Sequence, residues 1–276
     1  MKFKASVIIS VYDNTKFLKP VLDSLKIQSE KNFEIIISED GQSEEMKTFV
    51  ADYPFVNDFQ HLTQEDNGWQ KNKALNNAIR HAKSDWLIFI DGDCVLHPRF
   101  VEMHLRFAGE KVILAGKRVK LDPETSVFLE NNMPEAIAQI QKKFIKKLLF
   151  GKGKTGFIEE SIFIPPDGWL RFIPKLRKAN RLIGSNMSFS KKAIYAINGF
   201  DEKYTMPAVG EDTDLFWRFQ AAGFQVKSVR NLAVQYHLYH TEIWNDKTQN
   251  LERMQKNQSE NRYICTCGLN QPENEL

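Results

Sequence analysis

The segment WLIFIDGDCVLHP (residues 86–98) decides how the rest of the chain is interpreted. An apolar run ends at Asp91-Gly92-Asp93, which places two carboxylates one residue apart at the end of a hydrophobic stretch. Because Asp-Gly is common in turns, one interpretation is a plain strand-end turn. The other is a metal site at the carboxyl end of a buried strand, where open α/β sheets bind ligands. The motif by itself leaves both interpretations open.

The composition is that of an ordinary globular protein with a substantial core. The chain has 276 residues, of which 42% are hydrophobic and 26% are charged, and its formal net charge is +3. A net charge this small gives no reason to expect a nucleic-acid partner. No apolar run approaches the roughly 20 residues that a membrane-spanning helix needs. Cys94, Cys265 and Cys267 do not form a disulfide framework, which predicts a reducing compartment and a cytoplasmic location.

Strands and helices alternate along the first part of the chain. Strands are predicted at 5–11, 33–40, 59–63 and 85–93, and helices at 15–31, 43–52 and 69–83. The first strand superficially resembles a signal peptide, but its apolar run is short and no small-residue cleavage site follows it. The alternation predicts an α/β fold with a mostly parallel, Rossmann-like central sheet flanked by helices.

The pattern is less regular after Pro98. A helix is predicted at 99–108, a strand at 111–119, a capped helix at 210–224 and a strand from 226 onward. Residues 121–180 predict irregular structure, because prolines and glycines interrupt them. The polar C-terminal residues predict a helix up to about Arg262 and a frayed end.

Acidic side chains follow two of the predicted strands. Asp40 ends the strand at 33–40, and Asp93 ends the strand at 85–93. Because the carboxyl ends of parallel strands meet at one edge of a sheet, Asp40 and Asp93 are expected to face the same crevice. Two carboxylates at one place repel unless a cation or hydrogen-bond donors separate them, which favours a ligand site over independent turns.

Two more clusters occur late in the chain. His237 and His240 follow a predicted strand, and imidazole together with carboxylate suits manganese or another borderline divalent ion. The alternative is a pair of surface histidines packed against aromatic side chains. Glu211, Asp212 and Asp214 begin a predicted helix, where capping and the helix dipole alone favour acids. A carboxylate fixed there can also act as a general base on a hydroxyl.

Taken together, four stretches resemble the nucleotide-sugar glycosyltransferases of family 2, which have the GT-A fold. They are SVIISVYDNTKFLKPVLDSLKIQS, FEIIISEDGQSEE, NGWQKNKALNNAIRHAKSDWLIFIDGDC and GSNMSFSKKAIYAINGFDEKYTMPAVGEDTDLFWRFQAAG. The last is similar to the variant shared by galactosyl- and N-acetylgalactosaminyltransferases. The resemblance covers residues 5–118 and 182–240.

The resemblance implies one main domain with a distinct tail. A GT-A domain is expected at 1–240, followed by a helical C-terminal tail at 241–276. Within the domain, 1–118 would be the nucleotide-sugar-binding half, 119–181 a variable basic segment, and 182–240 the acceptor and catalytic half.

The resemblance also implies roles for individual residues on the donor side. Ser10, Tyr12 and Asp40 would hold the uridine, and Asp91 would contact the ribose or the surroundings of the metal. Gly92 would let the backbone turn closely around the ion and its phosphates. The family often has Arg-Asn near the helix before the D-x-D motif, whereas this chain has Leu75-Asn76. The predicted nucleotide-sugar-binding residues are therefore Ser10, Tyr12, Asp40, Lys71, Asn76, Asp91 and Gly92.

On the metal and acceptor side, Asp93 would bind Mn²⁺ or Mg²⁺, and His240, with or without His237, would complete the site. Asp212 would be the catalytic base and Glu211 would bind the acceptor. The implied reaction is metal-dependent, inverting transfer from a UDP-sugar to a hydroxyl of a glycan or a lipid-linked saccharide, in bacterial surface polysaccharide synthesis. One base without a protein nucleophile predicts inversion.

Two other functions remain as alternatives. A sugar nucleotidyltransferase would need a Gly-rich, basic loop directly after the first strand, and VYDNTKF lacks one. A non-catalytic sugar- or nucleotide-binding domain would have no need to retain Asp93, Asp212 and His240 together. Both alternatives are therefore less favoured than glycosyl transfer.

The basic segment 141–154 has two interpretations of its own. It contains six lysines among Phe144, Ile145, Leu148 and Leu149. It can be a solvated amphipathic helix that packs on the domain. It can instead contact anionic headgroups at the inner-membrane surface, where each lysine contributes about 1 kcal/mol. The second interpretation would make the protein peripheral on the cytoplasmic membrane and would suit a lipid-linked acceptor.

Overall fold

The computed structural model describes residues 3–133, 135–150, 156–241 and 246–270, without the side chains of 147–150. The first half contains β1 (Ala5–Val11), α1 (Thr15–Lys26), β2 (Phe33–Glu39), α2 (Glu44–Asp52), β3 (Phe59–Leu62), α3 (Lys71–His81), β4 (Trp86–Asp91), β5 (Cys94–Leu96), α4 (Phe100–Arg106), β6 (Val112–Ala115), β7 (Val119–Lys120) and α5 (Pro123–Asn131). The second half contains α6 (Glu135–Phe150), a 3₁₀ turn (Ile158–Ser161), α7 (Phe172–Leu176), β8 (Met187–Ser190), α8 (Lys191–Ala196), α9 (Asp212–Ala221), β9 (Gln225–Ser228), β10 (Gln235–His237) and α10 (Thr248–Ser259). In this part of the chain, no helix combines the length and apolar character that crossing a bilayer requires.

The central sheet has seven strands in the order β3-β2-β1-β4-β8-β6-β9. Only β8 runs antiparallel to its neighbours, β4 and β6. Every residue of β2, and all of β1 except Ser10, is buried. Strands buried on both faces are typical of a parallel sheet that is covered by helices on both sides. The predicted Rossmann-like α/β architecture with a mostly parallel sheet is confirmed.

Side chains of successive strand residues pack into separate cores on the two faces. Val7 and Ile9 contribute to a core with α1, whereas Ile8 contributes to a core with α3 and α9. This follows from the two-residue period of a strand, which sends alternate side chains to opposite faces. Both helix layers are thereby fixed to the strands whose carboxyl ends carry the acidic residues.

A second sheet, absent from the sequence-based prediction, brings distant segments to the end of β4. Its strand order is β5-β10-β7. β10 pairs antiparallel with β5, which places His237 opposite Cys94. The Leu238 N–H also donates to the Asp93 carbonyl oxygen at 2.9 Å. The histidine segment is therefore held against the Asp-Gly-Asp turn by backbone pairing.

The prediction of irregular structure at 121–180 is wrong for much of that segment, which contains three helices and the 3₁₀ turn. Asp122 caps α5 by accepting from the Thr125 N–H at 2.8 Å, and Pro123 occupies the first helical position. The α6 helix buries Ala136, Ile137, Ile140 and Phe144. These residues recur with the period of a helix, so the helical pattern outweighs the nearby prolines.

The basic segment 141–154 forms the end of α6 up to residue 150, and residues 151–155 lie outside the described residues. Phe144 is buried, whereas Lys142, Lys143 and Lys146 are exposed. Packing of this kind is what the amphipathic interpretation predicts. Contact of the segment with a lipid surface stays a prediction.

Other boundaries differ only in detail. The helix predicted at 15–31 ends at Lys26, and the strand predicted at 111–119 divides into β6 and β7. Gly223, at φ +82°, follows α9 in the left-handed conformation that ends many helices. The predicted C-terminal helix corresponds to α10.

A buried ion pair in α9 supports the second core. Asp214 is 0% exposed and Arg218 is 1% exposed, and the Arg218 guanidinium lies 3.0 Å from Asp214 Oδ2. The Tyr204 hydroxyl and the Trp217 indole N–H also donate to Asp214 Oδ1, at 3.0 and 3.1 Å. Removal of one partner from such a pair leaves an uncompensated buried charge.

We expect Asp214→Ala to lower the free energy of unfolding by about 3–5 kcal/mol, because Arg218 would stay buried without its counter-ion. Urea denaturation followed by circular dichroism measures this loss. The matched control is Glu110→Ala, which removes an exposed ion pair with Lys192 and should leave the urea midpoint unchanged. Equal stability of the two variants would contradict the expectation.

Candidate active site

A cavity of about 670 Å³ lies beside the carboxyl ends of β1, β2 and β4. We call it the first cavity. Its lining includes eight of the predicted site residues: Ser10, Tyr12, Asp40, Lys71, Asp91, Gly92, Asp93 and His240. Trp69 and Phe17 add aromatic surface. The cavity lies at the carboxyl ends of parallel strands, which is where open α/β sheets bind ligands.

Asp40 stands at one end of the first cavity in a nearly closed environment. Its carboxylate accepts from Gln64 Nε2 at 2.7 Å and from the Gln70 N–H at 2.9 Å. Burial raises its pKa above the usual range, although these hydrogen bonds act in the opposite direction. Tyr12 is exposed, and its hydroxyl donates to Asp66 at 2.8 Å. Asp40 and Tyr12 therefore hold the segment 64–70 beside the first cavity.

Gly92 lets the Asp-Gly-Asp turn lie directly on β1. Its N–H donates to the Ser10 carbonyl oxygen at 2.9 Å. A Cβ atom at this position would lie 2.6 Å from Val11 Cγ1, which is too close for any real side chain. The position therefore requires glycine, and the close packing holds Asp91 and Asp93 at the cavity floor.

Lys71 links the Asp-Gly-Asp turn to the Glu-Asp segment. Its ammonium lies 3.0 Å from Asp91 Oδ1 and 2.7 Å from Glu211 Oε2. Burial alone would lower the pKa of Lys71, but the charges of Asp91 and Glu211 outweigh it and raise that pKa. Arg118 binds the other oxygen of Asp91 at 3.2 Å. Asp91 is thus held between two cations.

The structure does not bring Asn76 to the residues that line the two cavities of the site. Its amide donates to the Phe200 carbonyl oxygen at 2.9 Å and to Glu202 at 2.8 Å, and it accepts from the Phe200 N–H. Lys71 and Asn76 are five residues apart on α3, which puts them on different faces of the helix. Asn76 instead joins α3 to the segment that follows α8.

Asn72, one residue after Lys71, joins the two halves of the chain. It is 0% exposed, and its Nδ2 donates to the carbonyl oxygens of Asp201 and Gly210, each at 2.9 Å. Gly210 directly precedes Glu211, which Lys71 contacts. α3 therefore holds the start of the Glu-Asp segment through backbone and side-chain contacts together.

Asp93, His237 and His240 converge on one point. Asp93 Oδ2 lies 3.2 Å from His237 Nε2 and 3.1 Å from His240 Nε2, and the two imidazole nitrogens are 3.3 Å apart. Burial alone would raise the pKa of the Asp93 carboxyl, but hydrogen bonds from the two histidines hold that pKa well below its usual range. The bond with Asp93 also raises the pKa of His240. One carboxylate and two imidazoles form a donor set that suits a borderline divalent ion.

A second group, Asp91, Asp93 and Cys94, has ligand atoms at similar spacing. Cys94 is 0% exposed, and burial raises the pKa of its thiol well above the usual range. Because the thiolate is the metal-binding form, a buried neutral thiol is a poor ligand. The Asp93, His237 and His240 cluster is therefore the better metal site.

An adjoining cavity of about 930 Å³, the second cavity, shares Asp91, Asp93 and His240 with the first. It adds three more predicted residues, Glu211, Asp212 and His237, to its lining, so that Asn76 is the one predicted residue that lines neither cavity. The first and second cavities thus meet at the cluster of Asp93, His237 and His240. A molecule in one cavity would face a molecule in the other across this cluster.

Asp212 begins α9 at the wall of the second cavity. Its carboxylate accepts from the Gly184 N–H at 3.3 Å and from the Thr213 hydroxyl at 3.0 Å. Glu211 is half-buried, as is Asp212; burial raises the pKa of Glu211, although Lys71 acts in the opposite direction. The two acids therefore differ in their partners: Glu211 lies against Lys71, whereas Asp212 contacts Gly184 and Thr213.

The loop before Glu211 has an unusual backbone that α10 braces. Ala208 and Val209 have φ values of +69° and +68°, and a β-branched residue rarely adopts this conformation. Such residues cost about 1–3 kcal/mol each and persist only where the surroundings impose them. Asn250 of α10 donates to the carbonyl oxygens of Met206 and Ala208 at 2.9 and 2.8 Å. The tail helix therefore supports the loop that presents Glu211 and Asp212.

Sequence reasoning missed several residues at the site. Arg118 binds Asp91, and Lys117, Lys120, Arg181 and Lys247 line the second cavity. These residues lie in or beside segments with weak periodicity. The residues at 117–120 reach the second cavity because β7 pairs with β10. In the sequence, the concentration of basic residues between Lys117 and Lys120 is a weak indication of a binding site.

Comparison with known proteins agrees with this architecture. A mannosyltransferase from Pyrobaculum calidifontis, solved in complex with GDP-Man and Mn²⁺, superposes with a TM-score of 0.54 at 13% identity, covering 88% of this chain and 59% of that one. S. aureus TarS 1–349, in complex with UDP-GlcNAc, gives 0.53 at 16% identity, covering 88% and 60%. At these identities the likeness shows a shared fold, which is the GT-A fold of glycosyltransferases.

The family model for Glycosyl transferase family 2 matches residues 6–165, and the model for the N-terminal domain of galactosyltransferase matches residues 173–241. The chain therefore belongs to glycosyltransferase family 2, and its second half is galactosyltransferase-like, as predicted.

Curated relatives include much longer proteins. Chondroitin synthase from Escherichia coli is 26% identical over 247 residues, which cover 84% of this chain and 34% of the relative. Hyaluronan synthase from Pasteurella multocida is 24% identical over 246 residues, which cover 84% and 24%. The chain thus spans about a third or less of these relatives' length.

Proposed function

We propose that the protein transfers a sugar from a UDP-sugar to a hydroxyl of a glycan or lipid-linked saccharide, with inversion and with the help of a divalent cation. The observation that carries this proposal is the position of the Asp93, His237 and His240 cluster at the junction of two cavities, with Asp212 in the wall of the second. Two reactants could therefore meet at one charged point, with a carboxylate on the acceptor side.

The first cavity is the proposed donor site. Ser10, Tyr12 and Asp40 would hold the uridine, and Asp91 would contact the ribose beside Gly92. Lys71 and Arg118 fix the Asp91 carboxylate from both sides. The UDP-GlcNAc bound to TarS, which has the same fold, supports a UDP-sugar as the donor class.

The donor set at the junction fits a divalent ion, either Mn²⁺ or Mg²⁺. Asp93 would hold it with His240, and His237 is close enough to share the position. When bound, such an ion supplies positive charge that stabilises the diphosphate leaving group. The two nitrogen donors favour manganese over magnesium, which prefers oxygen ligands.

Asp212 is the proposed general base. The acceptor hydroxyl would give its proton to the Asp212 carboxylate while its oxygen forms a bond to the anomeric carbon, and the bond from that carbon to the diphosphate oxygen breaks. Glu211 would bind the acceptor beside this point. Attack from the face opposite the leaving group inverts the anomeric centre, because no protein nucleophile intervenes.

The proposed roles of the segments follow their order along the chain. Residues 1–118 would bind the nucleotide-sugar, 119–181 would form the variable basic segment, and 182–240 would carry acceptor binding and catalysis within one GT-A domain at 1–240. We further propose that the tail at 241–276 supports the acceptor side, because Asn250 braces the loop before Glu211. We also propose that the protein is located in the cytoplasm and acts in bacterial surface polysaccharide synthesis.

The test is UDP release from a panel of UDP-sugars, with Mn²⁺, with Mg²⁺ and with EDTA. We expect one donor to give turnover that depends on added metal and stops in EDTA. Release of UDP without any metal requirement would contradict the metal assignment. Neither binding nor turnover of any UDP-sugar would instead favour a non-catalytic binding domain or a different donor nucleotide.

A further inference from the structure

Basic side chains line the second cavity together with the metal cluster and the proposed base. Its lining includes Lys117, Arg181 and Lys247, none of which lines the first cavity. We propose that the acceptor is an anionic saccharide, whose carboxylate or phosphate group binds Lys117 and Arg181 in the second cavity. This inference rests on the proposed function, in which the second cavity receives the acceptor.

Three of the four acids that line the second cavity already have cationic or imidazole partners. Asp91 binds Lys71 and Arg118, and Glu211 also binds Lys71. Asp93 binds the two histidines. Of the other charged residues in the lining, Lys117, Arg181 and Lys247 outnumber Asp212, so the remaining charge is positive and attracts an anionic ligand.

Glu160 is a buried acid whose charge acts on Lys117, and other arginines form its ion pairs. Its Oε1 lies 2.9 Å from the Arg177 guanidinium and also forms an ion pair with Arg230. Burial and the charges of Arg230 and Arg181 lower the pKa of Lys117, although the charges of Glu160 and Glu159 act in the opposite direction. A cluster of repelling cations on a cavity wall is unfavourable until an anion occupies the space between them.

Phe157 supplies the surface on which a sugar ring could lie. Its ring is 43% exposed, and Lys117 Nζ lies 5.2 Å from the ring centroid. The residue has a φ of +57°, and the adjacent Gly156 pairs with Lys120 through two backbone hydrogen bonds of 2.9 Å. An aromatic face beside a cation matches a sugar that has both an apolar face and a negative group.

The competing explanation is that these cations bind the diphosphate of the donor. Lys71 and Arg118 are better placed for that task, because Lys71 lines the first cavity and both contact Asp91 at the junction. Lys117 and Arg181 instead line the second cavity together with Asp212. Donor and acceptor assays distinguish the two explanations.

The test compares three disaccharides that differ only in the terminal residue: glucuronic acid, glucose and glucose 6-phosphate. Titration calorimetry measures their binding to the full chain with UDP and Mn²⁺, and UDP release measures turnover. We expect at least one anionic disaccharide to bind about tenfold more tightly than the glucose-terminated one. The anion that binds more tightly shows whether the protein recognises a carboxylate or a phosphate group.

In the variant Lys117→Gln/Arg181→Gln, we expect this charge preference to disappear through a raised acceptor KM. Donor KM should stay close to that of the unchanged protein, because neither residue lines the first cavity. The matched control is Lys192→Gln/Arg106→Gln, which removes two cations that pair with exposed acids outside the cavities, and should keep the preference.

Equal binding of charged and neutral disaccharides, or a raised donor KM in the cavity variant, would overturn the inference. The binding measurement is independent of turnover. Charge-selective binding without UDP release from any donor would therefore refute the proposed reaction while supporting the anionic-saccharide site.

Discussion

Replacing Asp93 with asparagine is expected to lower kcat/KM for sugar transfer by about 10³-fold or more. Asp93 supplies the only carboxylate of the cluster it forms with His237 and His240. Its loss removes the negative ligand from the proposed ion site, and stabilisation of a leaving group by an ion is worth several kcal/mol, with each 1.36 kcal/mol equal to a factor of ten.

The measurement pairs steady-state kinetics with Mn²⁺ titration calorimetry. We expect Asp93→Asn to bind Mn²⁺ much more weakly and to keep its far-ultraviolet circular dichroism. Asp167→Asn is the matched control, because Asp167 is an exposed aspartate whose partner, Arg106, lies outside both cavities. Unchanged Mn²⁺ affinity in Asp93→Asn would remove Asp93 from the metal site.

Asp212→Asn is expected to lower kcat by about 10²–10⁴-fold, which is the usual range for loss of a general base. The asparagine side chain has nearly the same shape, and its oxygen can still accept the hydrogen bond from Gly184. It cannot take a proton from the acceptor. Donor KM and Mn²⁺ affinity should therefore stay close to those of the unchanged protein, in contrast to Asp93→Asn.

Kinetics with saturating donor and acceptor isolate this effect. Asp52→Asn serves as the control, because Asp52 is exposed at the end of α2. If Asp212→Asn kept full kcat, another group would have to act as the base. If it lost Mn²⁺ affinity as well, Asp212 would belong to the metal site rather than to the acceptor side.

The sequence predicted the central fold well because strong local signals specify it. β1, β2 and β4 are rich in apolar residues and almost entirely buried, and the last two end at acids beside a glycine. The meeting of Asp40 and Asp93 in the first cavity followed from the shared edge of parallel strands alone. No detailed packing had to be known for that inference.

The small sheet and the basic lining of the second cavity could not be predicted in the same way. β7 and β10 have two and three residues, which is too short for any periodicity, and tertiary pairing decides their positions. Asn76 illustrates the same limit within a helix. The family resemblance placed it with Lys71 among the nucleotide-sugar-binding residues, whereas helix geometry separates the two side chains.

The buried amide of Asn72 constrains how proteins of this type could be recombined. It crosses from the segment that matches one family model to the segment that matches the other, and it bonds the backbone at Asp201 and Gly210. A chimera that joined this first half to a foreign second half would keep both reactant clefts only if the new partner offered two carbonyl oxygens at the same places. The two halves therefore depend on each other through a contact that lies far, in sequence, from the boundary between them.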